Sequence, residues 1–235
     1  MNTFDQKYKN LIQQTLSGTK KPTRSGVDAV MHCGGMIEHE MKDGFPLSTL
    51  RKIPFQLIAS ELEFFLKGKT DKRWLQKRNN HIYDHWCNPQ KVPYDNDVEI
   101  LKKMKEESDL GPINGFQWRN FNGAYNQDCK SDDGVDQIKK LVHTLKTNPN
   151  SKRMIISAWN PVQIDQMAIP PCPFAFGVSV FEDKLNLFFF QRSVDLMLGF
   201  PFDVAHHALL LSLLAKEAGY NEGKIVAFFG NMEIY

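Results

Sequence analysis

The stretch IPPCPFAFGVSVFEDKLNLFFFQRSVDLMLGFPFD, residues 169–203, constrains the fold more than any other. Residues 174–181 and 185–190 are two apolar runs joined by a tight connection through Glu182 and Asp183, which predicts a β-hairpin. Both runs are apolar almost throughout, as in strands covered on both faces. Residues 204–218 are apolar nearly all round, and they predict a buried helix that stops at Gly219. The same stretch carries chemistry. Cys172 sits between Pro171 and Pro173, and Gln191, Arg192, Ser193, Asp195 and Asp203 follow the hairpin. A thiol, an anion-binding arginine and a carboxylate on one strand–turn–strand–helix unit suit a nucleophile and a phosphorylated substrate.

Elsewhere the apolar spacing predicts a helix over residues 4–16, then a basic loop KKPTRSG containing Arg24. On position alone Arg24 is a solvated loop charge, although Thr23, Ser25 and Gly26 beside it offer hydroxyl and main-chain contacts to a phosphate. A weakly patterned strand region covers 29–41. The clearest amphipathic helix follows, with Phe55, Ile58, Leu62, Phe65 and Leu66 on one face and Gly68 as its stop. Glu61 lies on that apolar face. It is either a helix-edge glutamate whose head reaches water or a carboxylate of raised pKa suited to acid–base work.

Residues 74–89 form an aromatic-rich cluster, and a short helix is expected near 98–104. GPINGFQWR reads as a glycine-punctuated loop, 135–145 as a surface helix, SKRMIISAWNP as a strand, and 225–229 as the last strand. No repeat or linker interrupts the chain, so a single α+β domain over residues 1–235 is expected.

Composition narrows the function. A net charge of +2 gives no general nucleic-acid or membrane-surface patch. No run of about 18 apolar residues occurs, and the start MNTFDQKYKN lacks the order of a signal peptide. Cys33, Cys87, Cys129 and Cys172 form no CxxC pair, which favours reduced cytoplasmic thiols over a disulfide framework or a metal site.

PPC, then QRS-x-D, then LG-x-PF with an acidic residue and a buried helix, in that order, resemble the core pattern of the thymidylate synthase family. The resemblance extends through TRSG, KDGFPL, SELEFFLKG, GPINGFQWR and SKRMIISAWNP. It implies a mixed β-sheet with helices on one face and a dimer partner's sheet on the other. It also implies a pyrimidine nucleoside monophosphate as substrate and 5,10-methylenetetrahydrofolate as one-carbon donor. By resemblance Cys172 is the nucleophile, its thiol pKa lowered by Arg192; without the resemblance it is a buried inert cysteine. Arg24, Arg192 and Ser193 would hold the phosphate, joined by Lys152 and Arg153 from the partner subunit. Gln191 and Tyr235 would also contact the nucleotide, and Glu61 would handle protons. Asp195 would hold the pterin, with Tyr83, Trp86, Leu198, Gly199 and Phe202 around it.

Several positions depart from the family pattern. The residue before the buried helix is an asparagine in members acting on dUMP and is Asp203 here, as in the deoxycytidylate hydroxymethylases, viral relatives. A carboxylate accepts from the 4-amino group of cytosine but opposes uracil O4; it also serves as a helix N-cap, and both roles stay open. Tyr83 replaces a tryptophan beside the folate, which favours capture of the methylene by water. Asn114 replaces a tyrosine, Pro173 a histidine, and Glu233 a histidine that with Tyr235 binds the sugar hydroxyl. The family continues past Tyr235 into a segment that closes over the folate; a shortened chain or an open site is the expectation. Hydroxymethylation of dCMP is therefore expected, with methylation of dCMP or of dUMP as alternatives, in the cytoplasm (a host's, if the chain is viral).

Overall fold

The computed structural model describes residues 3–23, 26–127 and 133–235. Arg24, Ser25 and Cys129 lie outside them. In chain order the elements are α1 (Thr3–Leu16), β1 (Thr19–Pro22), β2 (Asp28–Glu40), α2 (Phe55–Leu66), α3 (Arg73–Gln76), α4 (Val98–Glu106), α5 (Asn114–Asn120) and α6 (Gln137–Thr147). The remainder are β3 (Ile155–Ser157), β4 (Pro173–Phe181), β5 (Lys184–Gln191), β6 (Val194–Asp195), α7 (Phe200–Ala218) and β7 (Asn221–Ile234). The chain is α+β, as its residues predict. It divides into two compact units interleaved in sequence.

The first unit comprises Met1–Ile58, Thr144–Ile155 and Cys172–Tyr235. It is built on a mixed sheet of order β1-β2-β7-β5-β4, with β6 also paired to β7. The apolar hairpin is β4 and β5, with Phe181 opposite Lys184 across a two-residue turn. Strand β7 runs parallel to β5 and antiparallel to β2. Alternation along β5 and β7 sends Leu185, Leu187, Phe189, Ile225, Ala227 and Phe229 into the core. Helix α7 covers that face with Val204, Ala208 and Leu211, and it ends at Gly219, whose φ of 80° few other residues tolerate. His207 stacks flat on Phe189, with ring centroids 4.0 Å apart. Phe4 and Tyr8 of α1 close the core around Phe200.

The opposite face of the sheet carries aromatic side chains. Phe174, Phe188, Phe190 and Phe228 there form a half-buried row of touching rings. Cover on both faces was expected from the apolar runs; α7 buries one face, and the rings on the other are half-buried.

Three boundaries also differ from the sequence expectation. KKP is edge strand β1 rather than loop, and Pro22 at its end, opposite Asp28, suits an edge. Strand β7 extends far beyond residues 225–229, because it has partners along its whole length in β2, β5 and β6. Helix α7 begins at Phe200, four residues early, with Pro201 in the first turn where its missing N–H costs nothing.

The second unit comprises Ala59–His143 and Ile156–Pro171. Leu62, Phe64 and Phe65 of α2 are buried, with Phe65 edge-on to Trp118 of α5 at 5.5 Å and Phe64 against Trp74 at 5.7 Å. GPINGFQWR is largely helix α5, not loop. A Cβ on Gly115 would come within 2.7 Å of the Phe65 Cα, so this glycine lets two helices touch main chain to main chain. Asp97 caps α4 by accepting from the Glu99 and Ile100 amides. Among the described residues no helix is long and apolar enough to cross a membrane.

Candidate active site

In the first unit a cleft of about 500 Å³ is lined by Cys172, Arg192, Ser193, Asp195, Glu233 and Tyr235, with Pro22, Thr23 and Met31 at its side. The open end of the hairpin builds it. Pairing along β4 and β5 slips by one residue between Pro173 and Ala175. This bulge brings Cys172 opposite Arg192, whose amide donates to the Cys172 carbonyl at 3.0 Å. The Arg192 Nη2 then stands 3.5 Å from the Cys172 sulfur. Pro173, expected to be a packing difference, sits at that bulge, where a residue with no N–H fits an interrupted ladder.

Arg192 was expected to lower the Cys172 pKa. Burial outweighs it: the thiol is pushed above its ordinary value, Arg192 pulls it down, and the Asp203 and Glu233 carboxylates push it up again.

Ser193 Oγ donates to Glu233 Oε1, so in this state its proton is not available to a phosphate. Asn231 Nδ2 reaches the same oxygen at 2.5 Å, and the Tyr235 hydroxyl donates to Oε2 at 2.7 Å. That bond to a carboxylate is the main reason the Tyr235 phenol is raised to about 12. Asn231 was not foreseen; it and Glu233, two residues apart on β7, meet side chain to side chain.

Asp203 does not cap its helix. Gly199 holds the N-cap position, and the Asp203 amide already bonds the Gly199 carbonyl at 3.1 Å. The half-buried Asp203 side chain instead accepts from Gln191 Nε2 at 2.6 Å. Gln191 is 1 % exposed, and its Oε1 has no hydrogen-bond partner among the described residues. His207 Nδ1 donates to the Asp203 carbonyl at 2.7 Å, and burial pulls that imidazole down to about 4, so it is neutral.

Asp195 Oδ1 accepts from the Met197 and Leu198 amides at 2.8 and 3.0 Å, which forms the turn leading to Gly199. Tyr8 donates to the Leu196 carbonyl and Arg51 to that of Met197, holding the turn from below. Leu198 is 63 % exposed, and Phe202 carries the Arg51 guanidinium 5.6 Å from its ring centroid. An acceptor oxygen beside exposed apolar side chains fits a flat heterocycle that has ring N–H groups, as a pterin does. Lys152 and Arg153 are exposed and are not among the residues lining the cleft.

In the second unit Glu61 is half-buried, and the Tyr83 hydroxyl donates to its Oε1 at 2.8 Å. Burial raises the Glu61 carboxyl to about 7, against the opposing effect of that hydrogen bond. Trp86 lies against Tyr94 with centroids 5.9 Å apart, and half-buried Asn114 opens α5.

A thiol, an arginine and carboxylates around one cleft suit the class of enzymes that work through a covalent nucleophile. The family model for thymidylate synthase matches residues 6–235, and the chain belongs to the thymidylate synthase family. That family transfers one carbon to C5 of a pyrimidine and draws it from methylenetetrahydrofolate.

Proposed function

We propose that the protein converts dCMP to 5-hydroxymethyl-dCMP, acting as one catalytic domain over residues 1–235 and as a homodimer. The observation that carries the base assignment is Asp203. It does not hold the N-cap position, and its side chain accepts from the Gln191 amide. Such a carboxylate accepts from the 4-amino group of cytosine, whereas uracil O4 would face it acceptor to acceptor.

In this reading Cys172 attacks C6 as the thiolate, and the electron pair of the C5–C6 bond makes C5 nucleophilic. Arg192 stabilises the thiolate and holds the phosphate, with Arg24, Ser193 and the partner subunit's Lys152 and Arg153. Ser193 must then turn its proton from Glu233 to the ligand. Glu233 and Tyr235 take the sugar hydroxyl. Asp195, Tyr83, Trp86, Leu198, Gly199 and Phe202 hold the folate. Methylenetetrahydrofolate supplies a carbon at the oxidation level of formaldehyde. With water the sum is dCMP plus methylenetetrahydrofolate plus water giving hydroxymethyl-dCMP and tetrahydrofolate. Glu61, poised near neutrality, moves the protons. The Tyr83 hydroxyl brings a polar group where water capture requires one. The row of half-buried aromatic rings on the sheet supports the dimer.

The test is a mass spectrum of products from dCMP and from dUMP, with absorbance followed for dihydrofolate. Hydroxymethyl-dCMP without dihydrofolate is expected. In Asp203→Asn the dCMP/dUMP ratio of kcat/KM should fall by about 10- to 100-fold, as an unsatisfied buried pair costs about 1–3 kcal/mol. A methyl product with dihydrofolate, or an unchanged ratio in the variant, overturns the assignment.

A further inference from the structure

Lys72 is 1 % exposed, and its ammonium contacts main chain in place of a carboxylate. Nζ donates to the carbonyls of Asp84 at 3.0 Å, Trp86 at 2.9 Å and Met104 at 2.9 Å. An ammonium has three protons, so all of them are used. Burial pulls the Lys72 pKa below its ordinary value, against the pull of Cys87, Asp84, Glu107 and Asp71. A position that needed only packing would be met by an aliphatic side chain with no such cost. The charge therefore has to be explained by what it holds.

Two of its three acceptors belong to the turn that carries Tyr83. The Trp86 amide donates to the Tyr83 carbonyl at 3.0 Å, and that of Asp84 to the His81 carbonyl at 3.1 Å. The Asp84 carboxylate takes Gln76 Nε2 at 2.9 Å and the His81 ring at 3.0 Å. At the start of the turn Asn80 Nδ2 donates to Ser60 Oγ at 2.9 Å, one residue before Glu61. The turn thus has an anchor on α2 at one end and Lys72 beneath the other.

We propose that Lys72 is a positioning residue: by clamping the carbonyls of Asp84 and Trp86 it fixes the turn that aims the Tyr83 hydroxyl at Glu61. The clamp stands on the hydrogen bonds alone, and its catalytic consequence rests on the reading of Glu61 given above. A hydroxyl donating to a carboxylate favours the ionised form, so losing that bond leaves burial unopposed and raises the Glu61 titration. Burial and the Tyr83 hydrogen bond are the two influences on Glu61; Lys67 is paired with Glu63, and the Arg78 guanidinium lies over the Trp74 ring.

The experiment compares full-length wild type, Lys72→Met, Tyr83→Phe and the double variant. Thermal melting and near-ultraviolet circular dichroism first establish that each is folded. Glu61 is then titrated without substrate, as the isotope-edited carboxyl signal absent from Glu61→Gln. Tyr83→Phe should raise the titration midpoint by about one pH unit, the size of one hydrogen bond to a charged group. Lys72→Met should raise it similarly, and the double variant should go no further than Tyr83→Phe. A folded Lys72→Met protein that titrates like wild type overturns the proposal, as does a double variant whose shifts add. If Lys72→Met does not fold, Lys72→Arg gives the same comparison, since a planar guanidinium cannot meet the same three carbonyls. The titration is read without turnover, so a Glu61 with no catalytic role would show separately, as a pH–rate profile that ignores the shift.

Discussion

Glu61 shows how one helix position turns burial into chemistry. Its carboxyl titrates at about 7 in the folded chain against an ordinary 4.5. Between those values the folded state holds a proton that the unfolded state has released, so stability falls as pH rises through the window. The full loss is at most about 3 kcal/mol at 1.36 kcal/mol per unit. Glu61→Gln cannot ionise. Its urea midpoint should therefore change less between about pH 5 and pH 8 than that of wild type. Spacing alone put Glu61 on the apolar face of its helix and left two readings open; the raised pKa supports the acid–base one. For Asp203 the sequence left capping and base contact open as well. Where the helix starts, which Pro201 signals weakly and Gly199 marks, removes the N-cap role. Lys72 gave no signal because its partners are main-chain carbonyls presented by other segments, and Asn231 gave none because its bond to Glu233, two residues along the same strand, matters only through the cleft that Glu233 lines.

At the scale of elements, the two apolar runs and the helix after them were legible because burial on a sheet leaves an uninterrupted apolar record. Glycines misled. In GPINGFQWR a glycine reads as a loop, but Gly115 lies inside α5 where Phe65 leaves no room for a Cβ. Gly115→Ala should destabilise the protein by about 1–3 kcal/mol, the usual range for forcing an extra carbon into a packed contact. Thermal and urea unfolding would measure it. An unchanged stability would mean that α2 and α5 move apart freely. The bulge that sets Cys172 beside Arg192 was also invisible in the sequence. Nothing in PPCPF states on which residue the ladder slips, and a slip of one residue changes the partner of the thiol.

For the whole molecule, the row of Phe174, Phe188, Phe190 and Phe228 is the surface on which the proposed dimer depends. If Lys152 and Arg153 complete the phosphate site of the other subunit, two dead variants should repair one another. Cys172→Ser and Arg153→Glu, mixed after unfolding and refolding together, should recover about a quarter of wild-type activity, since half the dimers are mixed and each has one intact site. No recovery, with dimers present in sedimentation, would place those cations outside the partner's site. The amino-acid sequence by itself determined the α+β class through apolar periodicity and the family through its motifs, and it named the thiol, the arginine and the carboxylates as candidates, because periodicity, motifs and residue chemistry are local properties of the chain. Only the tertiary structure decided that burial outweighs Arg192 at the thiol, that Ser193 gives its proton to Glu233, and that Asp203 is held by Gln191. Each of those is a balance of desolvation and hydrogen bonding between segments far apart in sequence, and it exists only once register and packing have brought them together.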